Sequence, residues 1–296
     1  MSRQRAASIV VIASGLLFGT TGTATILADT GASSIAVASA RLLIGSAGLL
    51  VLSMRAHGSA PVLALWRRPA TWAMGVGVAG YMAMFFAAVG RGGAAIASLV
   101  SISLSPFFAA AFARALGQSW PGRVWAVSTM LAIGGVVLLG WPTAGPTGAH
   151  RIAGAMLAAG ASASYGAYTA FGARFVAGDV HATDALAASF LIAAVLLLPF
   201  LAIDHQWLLT WRGAALGLWL GVATTTVAYR MFGFGLTHLA PGVVATLVLS
   251  EPVVATMLGV GVLGETMPLR GWLGCAAIAA GLLFVARNAS RRVAHV

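Results

Sequence analysis

Long apolar segments separated by short polar links run through the whole chain. We count ten such segments, and each has about 20 residues or more, enough to cross a hydrocarbon core of about 30 Å as an α-helix. The links contain Gly, Pro, Asp or Arg, and none is long enough to fold by itself. The pattern therefore predicts an all-α integral membrane protein with ten transmembrane helices. The segments are Ala6–Ala28, Ser33–Arg55, Ala70–Val89, Gly93–Leu116, Gly122–Trp141, Arg151–Ala177, Thr183–Ile203, Trp211–Leu236, Leu239–Leu263 and Leu269–Arg287.

The composition agrees with the membrane class and narrows the chemistry. Of the 296 residues, 60% are hydrophobic and 8% are charged, whereas soluble globular domains carry about 25% charged residues. All 17 basic residues are arginines, which excludes a P-loop and a Schiff-base lysine. The net charge of +11 does not indicate a nucleic-acid partner, because the arginines lie mostly between the apolar segments and form no continuous stripe.

Cysteine and histidine give no indication of a metal or cofactor site. Cys275 is the one cysteine and lies in an apolar segment, where we expect a buried, inert thiol. The histidines lie in links or at segment ends, so we expect them to be solvated. An integral-membrane enzyme would need converging catalytic groups at one membrane face, so we expect no enzymatic activity, no metal and no cofactor. The histidines are His57, His150, His181, His205, His238 and His295.

The arginines in the links predict the orientation of the chain in the membrane. If the N-terminus is cytoplasmic, eleven link and terminal arginines are cytoplasmic and four lie outside, which satisfies the positive-inside rule. Ten helices then return the C-terminus to the cytoplasm. Arg41 and Arg230 fall inside segments; for Arg41 we favour snorkelling or helix packing over a pair with Glu251.

The second half of the chain repeats the first at a shift of 146 to 148 residues. Four matches keep the same order: Phe18-Gly19 with Tyr165-Gly166, Tyr81 with Tyr229, Pro106 with Pro252, and Leu116-Gly117-Gln118 with Leu263-Gly264-Glu265. We therefore predict two five-helix repeats, residues 1–145 and 146–296, which together form one transport domain. Because five is odd, the second repeat is inverted in the membrane, and inverted repeats are typical of secondary transporters.

The ninth segment contains two residues that are costly in a membrane. Glu251 lies near its middle, where an acidic group costs roughly 2.5–3.5 kcal/mol, and Pro252 follows directly and removes a backbone hydrogen bond. We expect Pro106 and Pro252 to break their helices in corresponding places and to act as hinge or gating residues. Glu251 is either a ligand for a cation or proton, or a structural carboxylate.

These features together resemble a known family. The five-plus-five repeat, the Phe-Gly of the first segment, Pro106, Glu251-Pro252 and the Leu-Gly-Glu motif that ends at Glu265 are similar to EamA-type members of the drug/metabolite transporter superfamily. The resemblance implies a carrier of amino acids or other metabolites, often a bacterial inner-membrane exporter. It also implies a cavity formed by segments one, three, four, six, eight and nine, with segments five and ten at the periphery. Gln118 departs from the family's glutamate, so any role of that carboxylate is lost in the first repeat.

Aromatic and hydroxyl side chains on the proposed inner segments are candidates for lining the cavity. All four tyrosines lie well inside apolar segments and not at their ends, unlike an interfacial aromatic belt. Such a wall suits a small amphipathic solute, although the same residues also serve as helix-packing groups. The substrate-binding candidates are Phe18, Tyr81, Phe85, Ser98, Tyr165, Tyr168, Tyr229, Thr246 and Glu251.

The sequence therefore favours a secondary transporter that moves small metabolites, most of all amino acids in the export direction, by alternating access through a midplane cavity. The expected partners are a small-molecule substrate and the lipid bilayer, without nucleic acid, and a monomer is sufficient because one chain holds both repeats. The alternatives are a drug or nucleotide-sugar carrier and a non-transporting membrane scaffold. A nucleotide sugar needs deep basic groups, for which Arg41 is the one candidate.

Overall fold

The computed structural model describes residues 3–140, 148–178 and 180–289, and over these residues it is helical with no strand. The first half contains α1 (Arg3–Ala28), α2 (Ser34–His57), the short α3 (Ala60–Trp66), α4 (Pro69–Ala115) and α5 (Arg123–Gly140). The second half contains α6 (Gly148–Ala177), α7 (Ala182–Ile203), α8 (Trp211–Leu218), α9 (Ala228–Leu236), α10 (Pro241–Leu247), α11 (Ser250–Leu263) and α12 (Leu269–Ala289).

The described helices give the ten predicted membrane passages. Seven helical stretches are long and apolar enough to span a bilayer. One of them, α4, has 47 residues and consists of two helices that meet at Gly93 (φ 81°), so it supplies two passages. The remaining two passages are α6 and the run from α8 through a π-helix, Trp219–Val227, into α9. The all-α membrane fold predicted from the apolar pattern is therefore confirmed.

The packing of α5 against α12 shows the internal symmetry directly. A Cβ atom on Gly135 would lie 2.5 Å from the carbonyl oxygen of Gly274, and one on Gly281 would lie 2.7 Å from that of Ser128. Residues 135 and 281 are 146 apart, and so are residues 128 and 274. The two contacts are thus the same contact made once in each direction. Small residues permit this approach, as is usual between membrane helices.

A second pair of equivalent contacts joins the halves to each other. Gly19 on α1 packs against α11, where a Cβ would lie 2.7 Å from the carbonyl oxygen of Glu251. Gly166 on α6 packs against α4, where a Cβ would lie 2.6 Å from the carbonyl carbon of Phe108. Each half therefore inserts its first helix against the fourth membrane passage of the other half. The boundary predicted between residues 145 and 146 lies outside the described residues.

The repeated Leu-Gly motif ends a helix in both halves. Gly117 (φ 89°) and Gly264 (φ 72°) adopt the left-handed conformation that glycine tolerates best. The backbone N–H of Gln118 donates to the carbonyl of Ala113, and that of Glu265 donates to the carbonyl of Gly259. The cap uses backbone groups only, so the replacement of glutamate by Gln118 leaves it intact.

The two matching prolines differ in their effect. Between α10 and α11 the regular α-helix is interrupted by a turn at Val248–Leu249, whose φ and ψ stay in the right-handed helical region, and Pro252 follows in the first turn of α11. In contrast, α4 stays helical through Pro106, so the predicted break at Pro106 was wrong. Ser105, the residue before Pro106, supplies a hydrogen bond that replaces the missing one. The hydroxyl of Ser105 donates to the carbonyl of Ile102 at 3.0 Å, the group that lacks a backbone partner because Pro106 has no N–H.

Candidate functional site

Aromatic side chains from five membrane passages form one cluster in the centre of the helix bundle. Tyr229 on α9 contacts Phe190 at 4.5 Å between ring centroids, Phe18 at 5.0 Å and Phe232 at 5.7 Å. Tyr165 on α6 contacts Tyr168 at 5.1 Å and Tyr81 on α4 at 5.8 Å. We call this set the aromatic cluster; its members are Phe18, Tyr81, Phe85, Tyr165, Tyr168, Phe190, Tyr229 and Phe232.

The structure therefore brings together six of the nine binding candidates, and all four tyrosines of the chain. The hydroxyls of Tyr165 and Tyr168 are buried and have no hydrogen-bond partner among the described residues. The hydroxyls of Tyr229 and Thr169 lie close to those of Tyr168 and Tyr165, respectively. A buried polar group without a partner costs about 1–3 kcal/mol. The two tyrosine hydroxyls are therefore candidates for hydrogen bonds to a ligand or to water.

Glu251 lies beside the aromatic cluster, at the interrupted passage. It belongs to the first turn of α11, directly after the turn at Val248–Leu249, and its backbone N–H donates to the carbonyl of Val248 at 2.9 Å. Glu251 is partly buried, and it lies within Coulombic range of the Tyr81 and Tyr229 hydroxyls. It makes no salt bridge within the described part of the chain.

Arg41 approaches the same interior from α2. Its Nε donates to the hydroxyl of Thr225 at 3.0 Å and its Nη2 donates to the carbonyl of Thr224 at 3.2 Å. The guanidinium also lies 5.8 Å from the ring centre of Phe18, a cation–π distance. Arg41 and Glu251 both lie within Coulombic range of the Tyr81 and Tyr229 hydroxyls. These contacts agree with the helix-packing role expected for Arg41, because they join its side chain to neighbouring helices.

The π-helical stretch that hydrogen-bonds Arg41 was not predicted from the sequence. The hydroxyls of Thr224 and Thr225 donate to the carbonyl of Leu220, and that of Thr226 donates to the carbonyls of Gly45 and Gly221. Three consecutive threonines in an apolar segment were the available signal. π-Helices occur frequently at functional sites, and this one faces α2 where Arg41 enters.

Two further candidates, Thr246 and Ser98, are not members of the aromatic cluster. The hydroxyl of Thr246 is fully buried between α10 and α5, where it bonds the Trp125 indole at 3.0 Å and the Thr129 hydroxyl at 2.9 Å. Ser98 is half-buried on the second helix of α4. Ser101 donates to the carbonyl of Ala158 and accepts through its own carbonyl from Ser162, so it joins α4 to α6.

Two of the histidines predicted to be solvated, His57 and His181, are exposed as expected, but they also make specific contacts at the ends of α2 and α7. His57 at the end of α2 bonds the Asp184 carboxylate of α7 at 3.0 Å, and Ser53 donates to the same oxygen at 2.6 Å. The ring of His181 stacks on His57 with 3.9 Å between centroids. Asp184 is 1% exposed, so a buried carboxylate in need of partners draws both helix ends together.

Among the described residues no group of three or more potential ligands could hold a metal ion. The buried thiol of Cys275 agrees with the expected packing role. His295 lies outside the described residues.

Comparison with known proteins identifies the family of this chain. The model of the EamA-like transporter family matches twice, over residues 5–141 and 152–287. The uncharacterized transporter YwfM of Bacillus subtilis is 34% identical over 283 residues, which cover 94% of this chain and 93% of YwfM. The threonine/homoserine exporter RhtA of Salmonella typhimurium is 34% identical over 110 residues, 36% of this chain and 37% of RhtA. A solved crystal structure with 21% identity covers 97% of this chain with a TM-score of 0.81, which shows the shared fold.

Proposed function

Because the chain belongs to the EamA-like transporter family, we propose that it exports small amino acids across the bacterial inner membrane by alternating access. The family gives a multi-pass membrane transporter with two repeated helical halves. The central site supports the substrate class and the mechanism of this proposal, and the similarity of one segment to the exporter RhtA supports the direction.

The observation that carries the proposal is the charge pattern of the site. Among the described residues, the carboxylate of Glu251 and the guanidinium of Arg41 lie within Coulombic range of the same tyrosines, and no salt bridge joins the two. A zwitterionic amino acid presents an ammonium and a carboxylate of its own. Glu251 would accept the ammonium, and Arg41 would donate to the carboxylate as arginine does best. Charged groups in a membrane interior are costly and mark substrate or ion pathways.

The aromatic cluster supplies the remaining recognition. Its rings offer apolar surface to an aliphatic side chain, and the unpartnered hydroxyls of Tyr165 and Tyr168 offer hydrogen bonds. This combination of an apolar wall with a few polar groups is typical of small-molecule sites. It favours a small amphipathic solute, and the similarity of one segment to the threonine/homoserine exporter RhtA agrees with that class.

The interrupted passage supports alternating access. The turn at Val248–Leu249 between α10 and α11 lies next to Glu251, so a change in the angle between these helices would move the carboxylate directly. Broken helices at the repeat interface are a common device of inverted-repeat carriers. Close contacts through Gly19 and Gly166 permit the helices to slide with little side-chain interference.

The test is counterflow of radiolabelled amino acids into proteoliposomes, with threonine and homoserine in the panel, with and without a pH gradient. We expect uptake of small amino acids by the unmodified protein. We expect Glu251→Gln to reduce it about tenfold or more, because a charge-assisted hydrogen bond contributes about 1.5–3 kcal/mol. Loss only under a pH gradient would assign Glu251 to proton coupling instead of substrate binding.

Glu265→Gln is the matched control, since Glu265 is exposed at the end of α11. It should transport like the unmodified protein, and both variants should elute and melt alike. Flux of nucleotide sugars or cationic drugs in place of amino acids would contradict the substrate class. Absence of flux for every solute would contradict transport and favour the scaffold interpretation.

A further inference from the structure

An apolar cavity lies on the outer surface of the bundle, and none of its lining residues belongs to the aromatic cluster. It is a groove of about 850 Å³ between α1, α2, the π-helix and α9. Several of its residues are large, apolar and exposed, including Val51 (47%), Val227 (44%) and Phe234 (40%). In a membrane-spanning protein such a groove opens to the lipid. Its lining includes Val10, Ala47, Val51, Val227, Arg230 and Phe234.

One charged side chain lines this apolar groove. Arg230 on α9 is exposed, and it has no hydrogen bond or ion pair to any residue that the structure describes. The other polar side chain in the lining, Thr226, uses its hydroxyl to donate to the carbonyls of Gly45 and Gly221. The groove therefore offers apolar surface and a single guanidinium without a protein partner.

The position of Arg230 along the membrane normal defines its possible partner. It lies six residues before the end of α9 at Leu236, or about 9 Å of helix at roughly 1.5 Å per residue. At this depth a guanidinium is costly without an anion, and the side chain is long enough to reach toward the headgroup region. The groove lies at the end of the bundle that holds the N-terminus of α1 and the end of α2 with Arg55.

We propose that the groove binds an anionic phospholipid, with an acyl chain along α1, α2 and α9 and its phosphate at the guanidinium of Arg230. Acyl chains are the apolar groups that a lipid-facing groove meets in a bilayer. A phosphate matches arginine in charge and in hydrogen-bond geometry. In the predicted orientation the groove opens to the cytoplasmic leaflet, where negative surface potential attracts basic groups. The site is separate from the transport site and does not depend on the proposed substrate.

Native mass spectrometry of the purified full-length protein tests this proposal. The probes are phosphatidylglycerol and phosphatidylcholine with the same acyl chains, added to protein in detergent. We expect one phosphatidylglycerol to bind at least about fivefold more tightly than phosphatidylcholine. Arg230→Gln should remove that preference, because one basic residue near an anionic surface contributes about 1 kcal/mol. Ala47→Phe should fill the groove and weaken both lipids.

Two control variants separate a defined site from general attraction. Arg114→Gln removes an exposed arginine at the end of α4, and Ala111→Phe adds a ring to an exposed position on the same helix. Both should bind like the unmodified protein. Equal binding of the two lipids, or an equal loss in Arg114→Gln, would overturn the phosphate site. If Ala47→Phe still binds phosphatidylglycerol more tightly than phosphatidylcholine, Arg230 contacts the headgroup without an acyl chain in the groove. That result would overturn the groove as the binding site.

Discussion

Single side chains in this protein act by joining segments that are far apart in sequence. Arg41 connects α2 to the π-helix nearly two hundred residues later, and His57 connects the end of α2 to Asp184 on α7. Both are polar side chains in an apolar bundle, where an unpaired polar group is costly. Their partners therefore decide which helices meet.

Asp204 provides a pH-dependent prediction at the residue scale. Its carboxylate lies in the link after α7 and accepts the backbone N–H of Ser33 at 2.7 Å, at the start of α2. This hydrogen bond lowers the pKa of Asp204 from its ordinary value of 3.8. Because the folded pKa lies below the unfolded one, the stabilisation is present above about pH 4 and is lost as the pH falls through the folded pKa.

We therefore expect Asp204→Asn to lower the melting temperature at neutral pH, and the difference from the unmodified protein to shrink below pH 4. Thermal unfolding in detergent between pH 3 and 7 measures this. The Asp29→Asn variant serves as a control for other acidic groups in the links. A difference in melting temperature that stays constant over the whole range would contradict the role of the charge.

At the scale of elements, close helix packing depends on glycines that occupy equivalent positions in the two halves. Gly19 and Gly166 lie at matching repeat positions and contact α11 and α4, respectively. Gly135 on α5 and Gly281 on α12 also lie at matching positions, and each packs against the helix that carries the other. In lipid no hydrophobic force draws helices together, so close contact through small residues supplies much of the association.

We expect Gly166→Ala to destabilise the protein by about 1–3 kcal/mol, the usual cost of overpacking. The new Cβ would lie 2.6 Å from backbone and side-chain carbons of Phe108, and backbone cannot move aside cheaply. Unfolding by denaturant in detergent measures the change. Gly90→Ala is the matched control, because no other described atom lies within 4 Å of its added Cβ. Equal stability of the two variants would contradict tight α4–α6 packing.

At the scale of the whole molecule, the ten passages and the arginine distribution together predict the topology. Arg91 precedes the turn at Gly93, and Arg123 begins α5. The second helix of α4 runs between them, so the two positions lie on opposite sides of the membrane. The positive-inside rule assigns Arg123 to the cytoplasm and Arg91 to the outside.

Cysteine labelling in intact cells checks this orientation. In a Cys275→Ala background, Arg91→Cys should react with an impermeant maleimide from outside. Arg123→Cys should react only after the membrane is opened. Both positions are exposed, so access to the side chain does not limit the reaction. The reverse labelling pattern would place both termini outside and contradict the predicted orientation.

Much of the fold was readable from the sequence because its signals are local. Apolar length alone marks a membrane helix, so the ten passages were predicted, including the pair that meets at Gly93. The shift of 146 to 148 residues revealed the repeat, and the Leu-Gly motif placed the helix ends at Gly117 and Gly264. The family resemblance followed from the same ordered motifs and is confirmed by the two family matches.

Only the tertiary structure decided which side chains meet, because contacts between distant segments leave no periodic trace in the sequence. It assembled the tyrosines into one aromatic cluster, gave Arg41 its threonine partners, and paired His57 with Asp184. It also kept α4 helical at Pro106, since Ser105 satisfies the carbonyl that the proline leaves open. The sequence by itself determined the passages, the repeat and the helix caps, through length, order and backbone preference. The geometry of the site depended on packing, which satisfies each buried polar group with whichever helix lies beside it.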